Sequence, residues 1–142
     1  MTLGRRTRRA AALAWAGPNS LLGLAAGLVV LALGGRVQRH SGALEFHGGR
    51  CGRRISALPG RLRFGALTLG HVILGVDAAQ LAALRAHEQV HVRQYERWGP
   101  FFLPAYAASS AWQLLRGRRP HADNAFERQA RALEHGPGRG TG

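Results

Sequence analysis

His87-Glu88-Gln89-Val90-His91 sits inside a longer stretch, residues 77–98, that decides how the chain folds. The five residues spell HExxH. Histidines four apart stand one turn above each other on one helical face, so both imidazoles can reach one Zn²⁺ at tetrahedral angles. Glu88 is rotated about 100° from His87. Its carboxylate then stands beside the open metal position, where it could take a proton from zinc-coordinated water while the metal polarises a carbonyl. Chance alone produces the pattern in roughly one such sequence in a hundred. A helix with polar residues on its exposed side, or a metal site without catalysis, would carry the same letters.

The flanks support a helix. Asp77 with Gln80 three residues later forms a capping box of the Asp/Gln kind. Leu81, Leu84, Val90 and Val92, with alanines between them, predict a helix from Ala78 to about Trp98, and Gly99-Pro100 stops it. Residues 101–115 are uncharged and carry Pro104 near the start, where a first-turn proline is tolerated. They predict a second helix packed behind the first, with Trp98, Phe101, Phe102 and Trp112 placed to touch a bilayer. The uncharged run 98–115 is also near the lower limit for a second span. A third helix is expected from an Asn124 cap through Phe126, Glu127, Ala130 and Leu133 to about His135, followed by a disordered Gly/Pro/Arg tail, 136–142.

Upstream, residues 43–46, 61–64 and 66–74 are short apolar pieces punctuated by glycine and proline, and they predict short strands. A strand just ahead of an HExxH helix could offer a sheet edge to an extended peptide. His71 lies on the last of these as a lesser ligand candidate, since a lone strand histidine is more often solvent-facing or hydrogen-bonded. Cys51 is the only cysteine, which excludes an intrachain disulfide and a cysteine-based zinc knuckle; its setting, Gly48-Gly49-Arg50-Cys51-Gly52-Arg53, reads as a turn and makes a catalytic thiol a remote choice.

The N-terminus opens with Arg5, Arg6, Arg8 and Arg9 and then runs uncharged over 10–35. That run is long enough to span a bilayer, although Pro18-Asn19 interrupts it and leaves 20–33 as its densest apolar part. An uncleaved anchor is the favoured expectation over a secretory signal, for which Ala32-Leu33-Gly34 would be the small-residue cleavage site. The denser arginine cluster before the run, compared with Arg36 and Arg39 after it, places the N-terminus in the cytoplasm and the body in the periplasm of a bacterial inner membrane.

All 20 basic residues are arginine, and the net charge is +13. The arginines are scattered and form no long block with interleaved aromatics, so nucleic acid is a poor fit; attraction to anionic lipid suits the charge better, and a GC-rich coding bias would also give arginine, alanine and glycine.

A catalytic zinc site has three protein ligands and one open position. The metzincin spacing is absent, because Gln94 and Arg97 stand where its glycine and third histidine would be. A carboxylate from a later helix is the remaining route. Glu127, 36 residues after His91, leaves room for a turn, an antiparallel helix and a return helix, and is the first choice. A salt bridge from Glu127 to Arg131 competes with ligation, and His121, Asp123 and Glu134 remain alternatives.

The stretch Arg85-Ala86-His87-Glu88-Gln89-Val90-His91-Val92-Arg93-Gln94-Tyr95-Glu96-Arg97-Trp98-Gly99-Pro100, with Pro104-Ala105-Tyr106 and Asn124-Ala125-Phe126-Glu127-Arg128-Gln129-Ala130, resembles a group of small bacterial membrane-associated proteins with an HExxH core. That resemblance covers about 68–131; more distantly the chain is similar to zincin metallopeptidases of the gluzincin type, with a downstream Glu. The resemblance implies that His87, His91 and Glu127 bind Zn²⁺ and that Glu88 is the catalytic base. Arg85 and Arg93 depart from the uncharged residues such peptidase helices carry there, and Ala125 stands where a proline is expected.

Together these observations predict an α+β chain: a basic N-terminus with a transmembrane segment over 1–39, short strands over 40–76, and a three-helix zincin-like metal unit over 77–135. The function expected is that of a membrane-anchored zincin-like metal-binding protein, with zinc metallopeptidase activity on a peptide or protein as its finer form. The rival expectations are a non-catalytic metal-binding structural protein of the membrane and a basic module for nucleic acid or anionic lipid.

Overall fold

Gly17 and Pro18 divide the uncharged N-terminal run into two helices, α1 (Leu3–Trp15) and α2 (Gly17–Ala32), which meet at a 66° bend. Proline has no N–H to donate, and its ring crowds the carbonyl four residues back. The computed structural model describes residues 3–60 and 63–134. Among these no single helix is long and apolar enough to cross a membrane, which corrects the expected N-terminal transmembrane helix. α2 is instead a structural layer. Its Asn19, Gly23 and Gly27 share one buried face. A Cβ at Gly23 would stand 2.6 Å from Val72 Cβ and 2.8 Å from the Leu69 carbonyl, and one at Gly27 would stand 2.6 Å from the Phe46 ring. Asn19 Nδ2 donates to the Gly99 carbonyl at 2.9 Å, which ties the start of α2 to the turn at residues 99–101.

The layer under α2 is a four-stranded mixed sheet, β1 (Arg36–His40), β2 (Ala43–His47), β3 (Ala66–Leu69) and β4 (Val72–Gly75), in the order β1-β2-β4-β3. β1–β2 and β3–β4 are antiparallel hairpins, and β2–β4 is the one parallel pair. The single strand expected over 66–74 is therefore two strands. Gly70, with φ of +62°, turns the chain back after Leu69, and glycine takes that conformation without steric cost. Cys51 lies in a short helix, α3 (Gly49–Ser56), rather than a turn; Gly48, just before the helix, and Gly49, its first residue, both have positive φ. The strand expected over 61–64 falls partly, and the tail 136–142 wholly, outside the described residues, while Arg63 and Phe64 adopt no regular structure.

Across the sheet from α2 lies α4 (Ala78–Trp98), capped as its sequence predicts: Asp77 Oδ1 accepts from Gln80 N at 2.7 Å. Ala43, Ile73, Leu81 and Val92 form the core between sheet and helix. Arg85 is anchored here as well. It donates twice to Glu45, which is fully buried, at 2.8 and 2.9 Å, and Gln38 adds a third hydrogen bond at 2.7 Å. Burial alone would raise the Glu45 carboxyl, but the bonds from Arg85 and Gln38 hold it below its usual value.

A 3₁₀ turn (Gly99–Phe101) leads into α5 (Phe102–Leu115), and α6 (Ala125–Leu133) returns along α4. Asn124 caps α6 by accepting from Phe126 N at 2.9 Å. The expected three-helix zincin-like unit is also corrected. The helix bearing HExxH is one layer of an α2–sheet–α4 sandwich, and it depends on the sheet for its core and for its Glu45 anchor.

The glycine contacts give a direct test of this packing. Gly23→Val should lower stability by about 1–3 kcal/mol through overpacking, whereas Gly4→Ala, with nothing within 4 Å of its added Cβ, should be neutral or slightly stabilising. Urea denaturation of the two variants checks this; equal stability would mean α2 is not seated on the sheet.

Candidate metal centre

α4 sets His87 and His91 one above the other, and α6 brings Glu127 against both. His87 Nε2 lies 2.9 Å from Glu127 Oε2, His91 Nε2 lies 3.3 Å from Glu127 Oε1, and the two Nε2 atoms are 3.2 Å apart. His87, His91 and Glu127 form a group able to hold a metal ion. A tetrahedral zinc with bonds of about 2.0–2.1 Å has donor atoms roughly 3.3–3.4 Å apart, so the donor set fits such an ion with little movement.

The outward nitrogens fix the tautomers. His87 Nδ1 is 2.9 Å from Glu134 Oε2, an acceptor, so this nitrogen carries the proton. His91 Nδ1 is 2.8 Å from Gln94 Oε1, while Gln94 Nε2 donates to the Phe126 carbonyl at 3.1 Å and to Gln129 Oε1 at 2.8 Å. The carbonyl accepts only, so the amide oxygen must face His91, and its Nδ1 is also protonated. Both Nε2 atoms therefore face Glu127: in the metal-free protein a proton fills the gap, His87 Nε2 donating to Glu127 Oε2, and loss of that proton would free the lone pair for a cation. Histidines that ligate metals are commonly held this way, by a second group on the other ring nitrogen.

Glu88 is buried on the sheet side of α4, where Thr68 Oγ1 of β3 donates to its Oε2 at 2.6 Å. Tyr106 of α5 donates to Glu127 Oε1 at 2.8 Å, and its hydroxyl is 2.8 Å from His121 Nδ1. Phe102 lies behind the site, its ring centroid 6.3 Å from that of His91 and 4.1 Å from that of Tyr95.

The remaining candidates are sorted by these contacts. Glu134 stands behind His87, and exposed His121 stands at the rim, 3.6 Å from Glu127. Asp123 accepts from Arg119 N at 2.9 Å, and His71 pairs with Glu96 at 2.8 Å; neither joins the group. Of the two arginines that depart from the peptidase pattern, Arg85 bonds Glu45 and Arg93 is exposed. Sequence reasoning passed over Thr68, Gln94 and Tyr106 as functional residues. Gln94 alone carried a local signal, since three residues after His91 is the same helical face.

Acidic side chains concentrate around the two histidines. The chain has only seven acidic residues, and three of them, Glu88, Glu127 and Glu134, gather at or beside the two histidines in a protein of net charge +13. The bond to Glu127 raises His87 against its burial, with help from Glu134, to about 9. Burial lowers His91, but the hydrogen bond and charge of Glu127 outweigh it and raise the group. Burial would raise Glu127, and the two histidines overcome this to hold its carboxyl far below the usual range. Burial, reinforced by Glu127, pushes the Tyr106 phenol well above its usual value.

The chain matches no known family model, no curated protein and no solved structure.

A folded-state pKa raised from 6.5 to about 9 means that protonated His87 stabilises metal-free protein fully below about pH 6.5 and that this contribution is lost as pH rises through about 9. Urea denaturation in excess chelator should show stability falling across that window, with a flatter profile in His87→Gln. A profile that rises there would contradict the contacts of His87 with Glu127 and Glu134.

Proposed function

We propose that His87, His91 and Glu127 hold a divalent cation, Zn²⁺ by ligand type, and that the protein is a metal-dependent hydrolase of peptide or protein substrates with Glu88 as general base. The observation that carries this is the convergence of both imidazole Nε2 atoms on Glu127 while Glu134 and Gln94 hold both Nδ1 atoms. Imidazole and carboxylate also accept iron, nickel or manganese, so the donor set favours zinc without excluding these.

A cation bound there would supply Lewis acidity, lowering the pKa of water and polarising a substrate carbonyl. The chain's own residues supply the rest. Glu134 and Gln94 fix the two rings. Tyr106 orients Glu127 through its hydrogen bond. Glu88, one residue after His87, accepts from Thr68 on β3; as general base it would take a proton from water and return it to the leaving amine. Support for a peptide substrate comes from β3, which bears Thr68 and is the outer strand of the sheet on the side of the site, where an extended chain can add by strand pairing.

A second reading has one observation behind it. The His87, His91 and Glu127 side chains are only 16%, 8% and 5% exposed, which suits a structural metal centre that ties α6 to α4.

Elemental mass spectrometry and a peptide-library screen separate the two. The expected result is about one metal per chain, lost in His87→Ala and Glu127→Ala, and retained in Glu88→Gln with hydrolysis reduced by about 10²–10⁴. Unchanged turnover in Glu88→Gln would remove Glu88 from the mechanism. A metal whose removal lowers the Tm of a chain that cleaves no library peptide would favour the structural reading.

A further inference from the structure

α2 has two apolar faces, and the sheet covers only one. Leu21, Leu22, Leu28 and Val29 lie on the other, each more than half exposed, on a helix of 16 residues without a charge. That face is about 24 Å long at 1.5 Å per residue. At its N-terminal end Trp15 and Phe101 are exposed and pack together, with ring centroids 6.0 Å apart. Exposed arginines flank it in the chain: Arg5, Arg6, Arg8 and Arg9 on α1 before it, Arg36 and Arg39 on β1 after it.

We propose that this face is a docking surface for an anionic lipid bilayer. α2 lies in the plane of the interface with its outer side chains at the acyl boundary, aromatic rings at headgroup level, and the flanking arginines on anionic headgroups. The charge pattern selects lipid over a second copy of the chain. Two copies joined face to face through α2 would bring their arginine clusters into proximity, and no polar side chain on this face would set their register. Anionic headgroups neutralise the same arginines, and an apolar face without register suits a fluid partner. The inference is independent of the metal centre, since none of these side chains belongs to the group of His87, His91 and Glu127.

Vesicle flotation of the full chain tests this, using phosphatidylcholine vesicles with and without phosphatidylglycerol. The expected result is binding to the anionic vesicles, a blue shift of tryptophan emission, and release by alkaline carbonate. Binding should weaken at least tenfold in Leu21→Gln/Leu28→Gln, and at least fivefold in Arg5→Ala/Arg6→Ala or at high salt. Those side chains are exposed, so an unchanged circular dichroism spectrum should accompany the loss. No binding to anionic vesicles, binding unaltered in both variants, or resistance to carbonate would overturn the proposal. A concentration-dependent dimer that Leu21→Gln/Leu28→Gln abolishes, without vesicle binding, would assign the face to a second copy instead.

Discussion

Glu127 is the contact on which the C-terminal half of the molecule turns. Its two oxygens reach His87 and His91 on α4 and accept from Tyr106 on α5, so one carboxylate joins three helices. In a chain this basic, placing that carboxylate beside Glu88 and Glu134 creates a local excess of negative charge that a cation relieves. Protons do the same in its absence, which is why the histidines are raised and Glu127 is depressed. A metal bound there would compete with protons for the two Nε2 atoms, and its affinity would rise as the imidazoles lose their protons.

α4 transmits this arrangement to the sheet. Arg85 bonds Glu45 on β2, Glu88 takes the Thr68 hydroxyl on β3, and Tyr95 donates to the Thr68 carbonyl at 3.0 Å. The helix is thereby fixed in rotation as well as position, so that His87 and His91 face α6 while Glu88 faces β3. A buried ion pair such as Arg85–Glu45 adds little net stability over an apolar contact, but removing one partner leaves a charge buried, at a cost of about 3–5 kcal/mol. Such a pair penalises every other rotation of α4.

The parts of this arrangement that were legible in the sequence are those set by local hydrogen bonds. The Asp77 cap, the stop at Gly99-Pro100 and the Asn124 cap each depend on residues within a few positions, and the spacing from His91 to Glu127 allows for the return of α6. Partners contributed by distant segments were not legible. Nothing in the residues around Thr68 or Tyr106 shows that they will meet Glu88 and Glu127. The N-terminal run misled for a similar reason: a helix that seats glycines on a sheet and exposes leucines has the same composition as one surrounded by lipid. The arginine-rich β1 has every residue exposed and carries no apolar alternation to mark it as a strand. The Gly70 turn lay within an apolar run that reads equally well as one strand.

The most direct test of the central claim is X-ray absorption spectroscopy at the zinc edge on the zinc-loaded chain. The account predicts a first shell of two imidazole nitrogens and carboxylate or water oxygen at about 2.0–2.1 Å, with one imidazole lost in His91→Ala. A first shell of oxygen alone, or a spectrum identical in wild type and His91→Ala, would contradict it.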